Sequence, residues 1–252
     1  MRFGYLLMLF ITLSCASKKN IFMLQDLKNN DVINYEFEDY KIKNDDVLKI
    51  EVKTNDLRTR IGTENNFNQF QNTTRESLIY DGYMVNSNGF IDFHGLGKIY
   101  VKGLTVNEIK SIIFKLLTQG QILKNPIIDI KILNSHFTIL GEVNSPGRYN
   151  FLNNDIDILQ AIGMAGDLTI NGLRNDIKII RNVEGNKIIS SIDLTNSDFI
   201  KEKNFQIFSG DIIIINPNNS RVKNAGVIDN SSSFFSLISI IISSIILITN
   251  AN

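Results

Sequence analysis

Residues 80–120 read YDGYMVNSNGFIDFHGLGKIYVKGLTVNEIKSIIFKLLTQG, and the hydrophobic period changes partway along this stretch. Before Leu104 the apolar residues fall in alternating pairs, Tyr83 and Val85, Ile91 and Phe93, Ile99 and Val101, which is the period of half-buried strands. Asn86-Ser87-Asn88-Gly89 supplies the Asn and Gly that positive φ requires, so the spacing predicts a hairpin between the runs on either side. After Thr105 the period becomes helical, with Val106, Ile109, Ile112, Ile113, Leu116 and Leu117 on one side. Thr105 as N-cap and Glu108 three residues later form a capping box, and Gly120 is a stop signal. Strands followed directly by an amphipathic helix predict an α+β layer.

The flanks extend the same pattern. Upstream, YKIKNDDVLKIEVKT sets Leu48, Ile50 and Val52 on one face of a strand, with Lys49, Glu51 and Lys53 opposite and the turn residues Asn44-Asp45-Asp46 before it. Residues 54–78 are polar, an excursion long enough to be functional or mobile. Downstream, Pro126 opens the strand PIIDIKIL. A second unit then begins with a strand holding Phe137, Ile139 and Val143, ending at Ser145-Pro146-Gly147. Asp155 or Asp157 can cap a short helix carrying Ile158, Leu159, Ala161 and Ile162, stopped by Gly163 and Gly166. Strands at Ile177–Ile180 and Lys187–Ile192 turn at Glu184-Gly185-Asn186, and a last one ends in Ile212–Ile215.

Composition narrows the chemistry. The 252 residues carry 26 basic and 26 acidic side chains, so the totals give no basic footprint for nucleic acid. One Cys and two His exclude a Cys/His zinc cage within the chain and any disulfide framework. Asp45 and Asp46 form a carboxylate pair, and Glu142 and Asp167 sit in Gly-bearing turns, but turn formation accounts for all four. His94 and His136 lack a Ser or Cys partner pattern, and no G-x-S-x-G occurs. Gly95-Leu96-Gly97 leads into another strand and is not a nucleotide loop. No catalytic, metal or cofactor-binding residue is therefore expected.

Both ends point to a membrane. The N-terminus, MRFGYLLMLFITLSCASKKN, joins Arg2 to an apolar Tyr5–Leu13 segment and the small residues Ser14 and Ala16, the pattern of a secretory signal. It resembles a bacterial lipoprotein signal with Cys15 as the acylated residue, although Thr12 stands where Leu is usual. Near the other end, FFSLISIIISSIILI at 234–248 has no charge, Pro or Gly. On a helix Ser236, Ser239 and Ser243 share one face, extended backward by Ser232. Phe234, Phe235, Leu237, Ile238, Ile241, Ile242, Ile245 and Ile246 cover the rest. Fifteen residues of helix reach about 22 Å, short of the ~30 Å core of an ordinary bilayer, so the expectation is a transmembrane or amphipathic helix with a lumen or helix-packing stripe. A core helix docked on the second unit is the competing reading.

The order Y-x-I-x-x-D-D-x-L-x-I-x-V (Tyr40–Val52), V-x-x-x-G-x-I-x-F-x-G-L-G-x-I-x-V-x-G-L-T-x-x-E (Val85–Glu108), then the strand Pro126–Leu133, resembles the polysaccharide export domain of Wza-type outer-membrane exporters. FTILGEVNSPGRYNF (137–151) with DILQAIGMAGDL resembles the opening of one SLBB domain, a β-grasp-like module, and Ile207–Ile215 resembles its closing strand. The expected fold is α+β: two small α/β-sandwich-like domains plus a C-terminal membrane helix. The expected segments are a lipoprotein signal peptide (1–14), a tether (15–38), the export domain (39–134), the SLBB domain (135–217), a linker (218–233) and the helix (234–248). The resemblance implies a homo-oligomeric ring that passes capsular or exopolysaccharide across the bacterial outer membrane. It is expected to be lipid-anchored, with its main domains in the periplasm and an inner-membrane polysaccharide copolymerase or tyrosine autokinase as partner. The alternative is a monomeric periplasmic glycan-binding module.

Overall fold

The computed structural model describes residues 21–54, 82–152, 155–218 and 231–250. Two hydrophobic clusters organise them. The first is built by β1 (Val47–Lys53), β2 (Tyr83–Met84), β3 (Phe90–Phe93), β4 (Gly97–Tyr100), α1 (Val106–Gln119) and β5 (Ile127–Ile132). Three of these strands form an antiparallel sheet in the order β2-β1-β5, and β3 pairs with β4 as a separate hairpin. Leu48 is fully buried and Ile50 and Val52 pack against the same cluster, as the alternation predicts. On the opposite face Lys49 and Lys53 both pair with Glu51, and the Lys49 ammonium holds its carboxyl below the usual range.

α1 starts where the capping box predicts. The Thr105 hydroxyl accepts from Glu108 N, and Thr105 N donates to the Glu108 carboxylate at 2.7 Å. Ile109, Ile113 and Leu117 face the core. Gly120 caps the end with φ −70°, and the left-handed turn falls instead on Gln121 at +53°. The turn at 86–89 also closes, with Asn86 N donating to Phe90 O. Its flanking strands nevertheless do not pair with each other as predicted: β2 joins β1, and β3 turns at His94–Leu96 to join β4. Asp45 N and Asp46 O bond the backbone of Val85, which draws that segment to β1 before the turn begins.

The second cluster gathers β6 (His136–Gly141), β7 (Gly147–Asn150), α2 (Ile158–Met164), β8 (Gly172–Val183), β9 (Asn186–Ile192) and β10 (Ile212–Pro217). The sheet order is β7-β6-β10-β8-β9, with β10 parallel to β6 and every other pair antiparallel. Asp157 caps α2, its carboxylate accepting from Gln160 N at 2.8 Å. The closing strand is shorter than Ile207–Ile215: Phe208 N donates to the Asp211 carboxylate, a turn that delays β10 until Ile212. The described part of the expected tether, 21–38, lies along this second unit. Leu24 N and Gln25 N donate to the carbonyls of Leu194 and Thr195, Met23 and Leu24 pack on the core, and Tyr35 meets Phe205 edge-on at 4.7 Å.

The last helix, α3 (Ser231–Asn250), is longer than the uncharged run that predicts it. Its described side chains are all exposed, so the docked core helix is not observed among them. Among the described residues no helix is long and apolar enough to cross a membrane, which leaves the expected C-terminal membrane helix unsupported as a lone span.

Gly141 lies where parallel β10 comes alongside β6, with φ +94°, and a Cβ there would stand 2.0 Å from Ile215 O. Gly141→Ala is expected to cost about 2–4 kcal/mol, because backbone strain and a clash with main chain act together. Gly185→Asn, at φ +83° with open space around it, is expected to stay within about 1 kcal/mol. Urea midpoints of the two variants check this, and equal losses contradict the close approach.

Candidate functional site

Of the sequence-predicted site residues, Cys15 lies outside the described residues, as do 55–78 of the polar excursion and most of the linker. The side chains of Ser232, Phe234, Leu237 and Ile245 also lie outside them. The rest of the predicted helix residues are brought together on α3. Phe235, Ile238, Ile241, Ile242 and Ile246 are exposed, as are Ser236, Ser239 and Ser243. Ile240 and Leu247, 61% and 72% exposed, follow Ser236 and Ser243 by four residues and so border the serine stripe, and beyond them the Ser244 hydroxyl donates to Ile240 O at 2.7 Å. These three were missed, although they lie within the same uncharged run and continuing the helical period would have found them.

The weighed carboxylates serve the fold. Asp45 adopts φ +67° in the turn before β1. Glu142 accepts from the Thr169 hydroxyl at 2.7 Å, and Asp167, at φ +75°, accepts from Leu168 N. His136 Nδ1 lies 3.0 Å from Asn134 O. Among the described residues no group of three His, Cys, Asp or Glu side chains could hold a metal ion.

Asp46 has a different place, at the joint between the two units. Its carboxylate is buried and accepts from Lys43 N at 2.7 Å and from the Tyr40 hydroxyl at 3.0 and 3.2 Å. The Tyr40 ring stacks at 6.4 Å on Phe208, which comes from the second unit yet packs against the first core. On Phe208 lies the Arg181 guanidinium, 4.4 Å from the ring centroid and held by a fork of bonds to the buried Asp211. Around this stack the chain is doubly tied. Glu38 and Gln206 exchange hydrogen bonds at 2.7 and 2.9 Å, and Asn134 accepts from Val47 N and donates to Asp45 O. Burial pushes the Asp46 carboxyl up despite its donors, and burial with the Asp46 charge pushes the Tyr40 phenol far above its usual value. The arrangement can hold two cores in register, with Tyr40 and Asp46 buried and Arg181 and Phe208 partly exposed.

Comparison with known proteins bears on the first unit. Residues 34–133 match the family model described as polysaccharide biosynthesis/export protein, a span that contains every buried residue of the first cluster. The chain is 25% identical over 140 residues to the EPS I polysaccharide export outer membrane protein EpsA of Ralstonia solanacearum, covering 54% of this chain and 36% of that one. It is 26% identical over 136 residues to the protein of the same name from Ralstonia nicotianae, covering 52% and 35%. The match thus spans about a third of the length of these curated relatives.

Removing the phenol by Tyr40→Phe is expected to cost about 1–3 kcal/mol, the penalty for a buried acceptor that loses its donor. The native pKa of Asp46 lies above its ordinary 3.8, so the folded state binds this proton more tightly than the unfolded chain. The group's contribution is therefore fully present below 3.8 and declines as pH rises through the raised native value. Asp46→Asn lacks that decline, so the stability difference between the two proteins should shift toward the variant across this window. Urea titrations at stepped pH check the slope; the opposite sign would contradict burial as the dominant cause.

Proposed function

We propose, from the match of residues 34–133 to the polysaccharide biosynthesis/export family, that this chain is the repeating subunit of an outer-membrane channel for capsular or exopolysaccharide. The carrying observation is that the family match coincides with the first hydrophobic cluster, so the matched segment includes all of that cluster's buried residues. Transport is passive in this reading: the polymer moves through a hydrated lumen and an inner-membrane copolymerase drives it. The second unit acts as the SLBB module beneath the membrane.

A helix with apolar side chains exposed around it supports the oligomer. Copies of α3 arranged about a rotation axis would cover one another's flanks, turn the serine stripe to the lumen and leave Ile238 and Ile241, on the opposite side, for lipid. The assembled ring, not the lone helix, then meets the bilayer, and a bacterial outer membrane is thinner than average. Acylation of Cys15 would add an anchor, since each buried CH₂ contributes about 0.8 kcal/mol and several chains hold stably. Nine Cα-to-Cα steps separate Cys15 from Leu24, a reach of about 30 Å when extended. Leu24 is tied to the second unit, and α3 follows the same unit in the chain. Both membrane-directed features thus favour the second unit as the proximal one, with the first unit facing the periplasm and its inner-membrane partner.

Full-length protein in mild detergent, compared by light scattering and electron microscopy with a chain ending at Asn230, tests the reading. Rings that are narrowed or lost at one end on truncation are the expected result, and monomers in both samples would turn the assignment to the glycan-binding module. Ile241→Asp should block membrane insertion while Ser239→Asn is tolerated, because a charge on a lipid face costs about 2–4 kcal/mol and an amide on a wet face little. Cys15→Ala should abolish lipid labelling; unchanged labelling contradicts the anchor.

A further inference from the structure

Whole-chain neutrality conceals a separation of charge. The described residues of the first unit, 40–54 and 82–133, carry ten lysines against six carboxylates, whereas 134–217 carry seven basic side chains against ten acidic. On the basic unit, Lys110, Ser111, Phe114 and Lys115 of α1 and Ile128 of β5 line an open groove of about 370 Å³. The core-facing residues of α1 are Ile109, Ile113 and Leu117, so this groove uses the helix's other side. Phe114 is 42% exposed there. Lys115 has no ion pair among the described residues, and Lys110 has only a loose one, 3.8 Å from Asp129 at the groove's edge.

We propose that this groove binds a segment of anionic saccharide, a site that deepens the export reading and rests on it. A pyranose has a face of C–H groups and a rim of oxygens. The C–H face suits the electron-rich face of Phe114, while a carboxylate on the rim suits ammonium groups to either side. A neutral glycan would use the ring and leave two lysines idle, so the flanking charge selects a uronic acid or similarly acidic sugar. The size is right for one to two sugar residues in a shallow, half-apolar cleft. Weakness is required, because a transported polymer has to leave as readily as it enters, and repetition of the groove around a ring would compensate through effective concentration.

The test uses the full chain with oligogalacturonate as probe and a malto-oligosaccharide of equal length as the neutral control, followed by calorimetry or by shifts of labelled amides. Oligogalacturonate should bind and the neutral oligomer should not, and raising salt from about 50 to about 300 mM should weaken binding. Lys110→Gln with Lys115→Gln should weaken it about tenfold, whereas the charge-matched pair Lys187→Gln and Lys203→Gln should leave it within about twofold. Phe114→Ala should weaken it several-fold without removing the salt dependence. These side chains lie outside the core, so the variants should keep the parent's melting midpoint. Absence of binding, equal binding of both oligomers, or an unaffected Lys110/Lys115 variant overturns the proposal. Export in a host lacking its own copy separates the two claims. A Lys110/Lys115 variant that restores secretion fully while binding no probe sinks the groove's role alone; failure of the parent chain to restore it sinks the export reading.

Discussion

A buried carboxylate has to be satisfied, and the way Asp46 is satisfied ties the molecule together. Leaving such a group unpaired away from water costs several kcal/mol, so its neighbours are constrained to supply donors. Lys43 N comes from the turn before β1, and the Tyr40 hydroxyl comes from the chain arriving off the second unit. Once Tyr40 is fixed by its hydroxyl, its ring offers a flat face, and Phe208 occupies it. Arg181 lies over Phe208 and is itself neutralised by Asp211. A polar requirement in one core thus propagates through two rings and a guanidinium to a second buried carboxylate in the other. Removing any member would leave a charge or a ring face without its complement, so the two units share one set of interlocking contacts.

The same joint explains the path of the N-terminal segment. Residues 21–39 could have been loose, since their sequence has no sustained period. They are instead held at one end by main-chain bonds to Leu194 and Thr195 and at the other by the reciprocal Glu38–Gln206 pair. A strap fixed at both ends transmits position. Its far end enters the stack at Tyr40, which couples the second unit's cluster to the segment leading into β1. Charge separation between the units adds a direction to this coupling, because a polyanion is drawn toward the basic end and repelled by the acidic one.

Local order was legible in the sequence and long-range pairing less so. Thr105, Glu108 and Asp157 announced the starts of α1 and α2 because capping is a contest within four residues. The alternation of Leu48, Ile50 and Val52 gave the buried face of β1 for the same reason. The pairing of β2 with β1 rather than β3 was hidden, since it is decided by bonds between Asp45, Asp46 and Val85, forty residues apart. The joint was hidden more deeply. Asp45-Asp46 read as turn residues, which is what Asp45 is; nothing local shows that its neighbour turns inward to a phenol. Phe208 lay in a segment that the pattern assigned to a strand. The charge asymmetry was present in the sequence but vanishes in the total, and becomes visible only when the lysines are counted by unit.

The apolar helix imposes the remaining constraint. Fully burying an Ile or Leu side chain is worth about 1.5–3 kcal/mol, and α3 exposes several on all sides. Such a helix gains by further burial, since its described apolar side chains stand exposed. Lipid alone would cover an entirely apolar cylinder, but Ser236, Ser239 and Ser243 form a polar strip that gains nothing from hydrocarbon. Neighbouring copies alone would cover the flanks but leave the outward isoleucines wet. On the proposed reading both are needed: copies meet at the flanks, lipid takes the outer face, and the serines are left with water at the axis. In that reading the contact between copies is heterologous, and such a contact repeated about an axis either closes into a ring or runs on as a fibre.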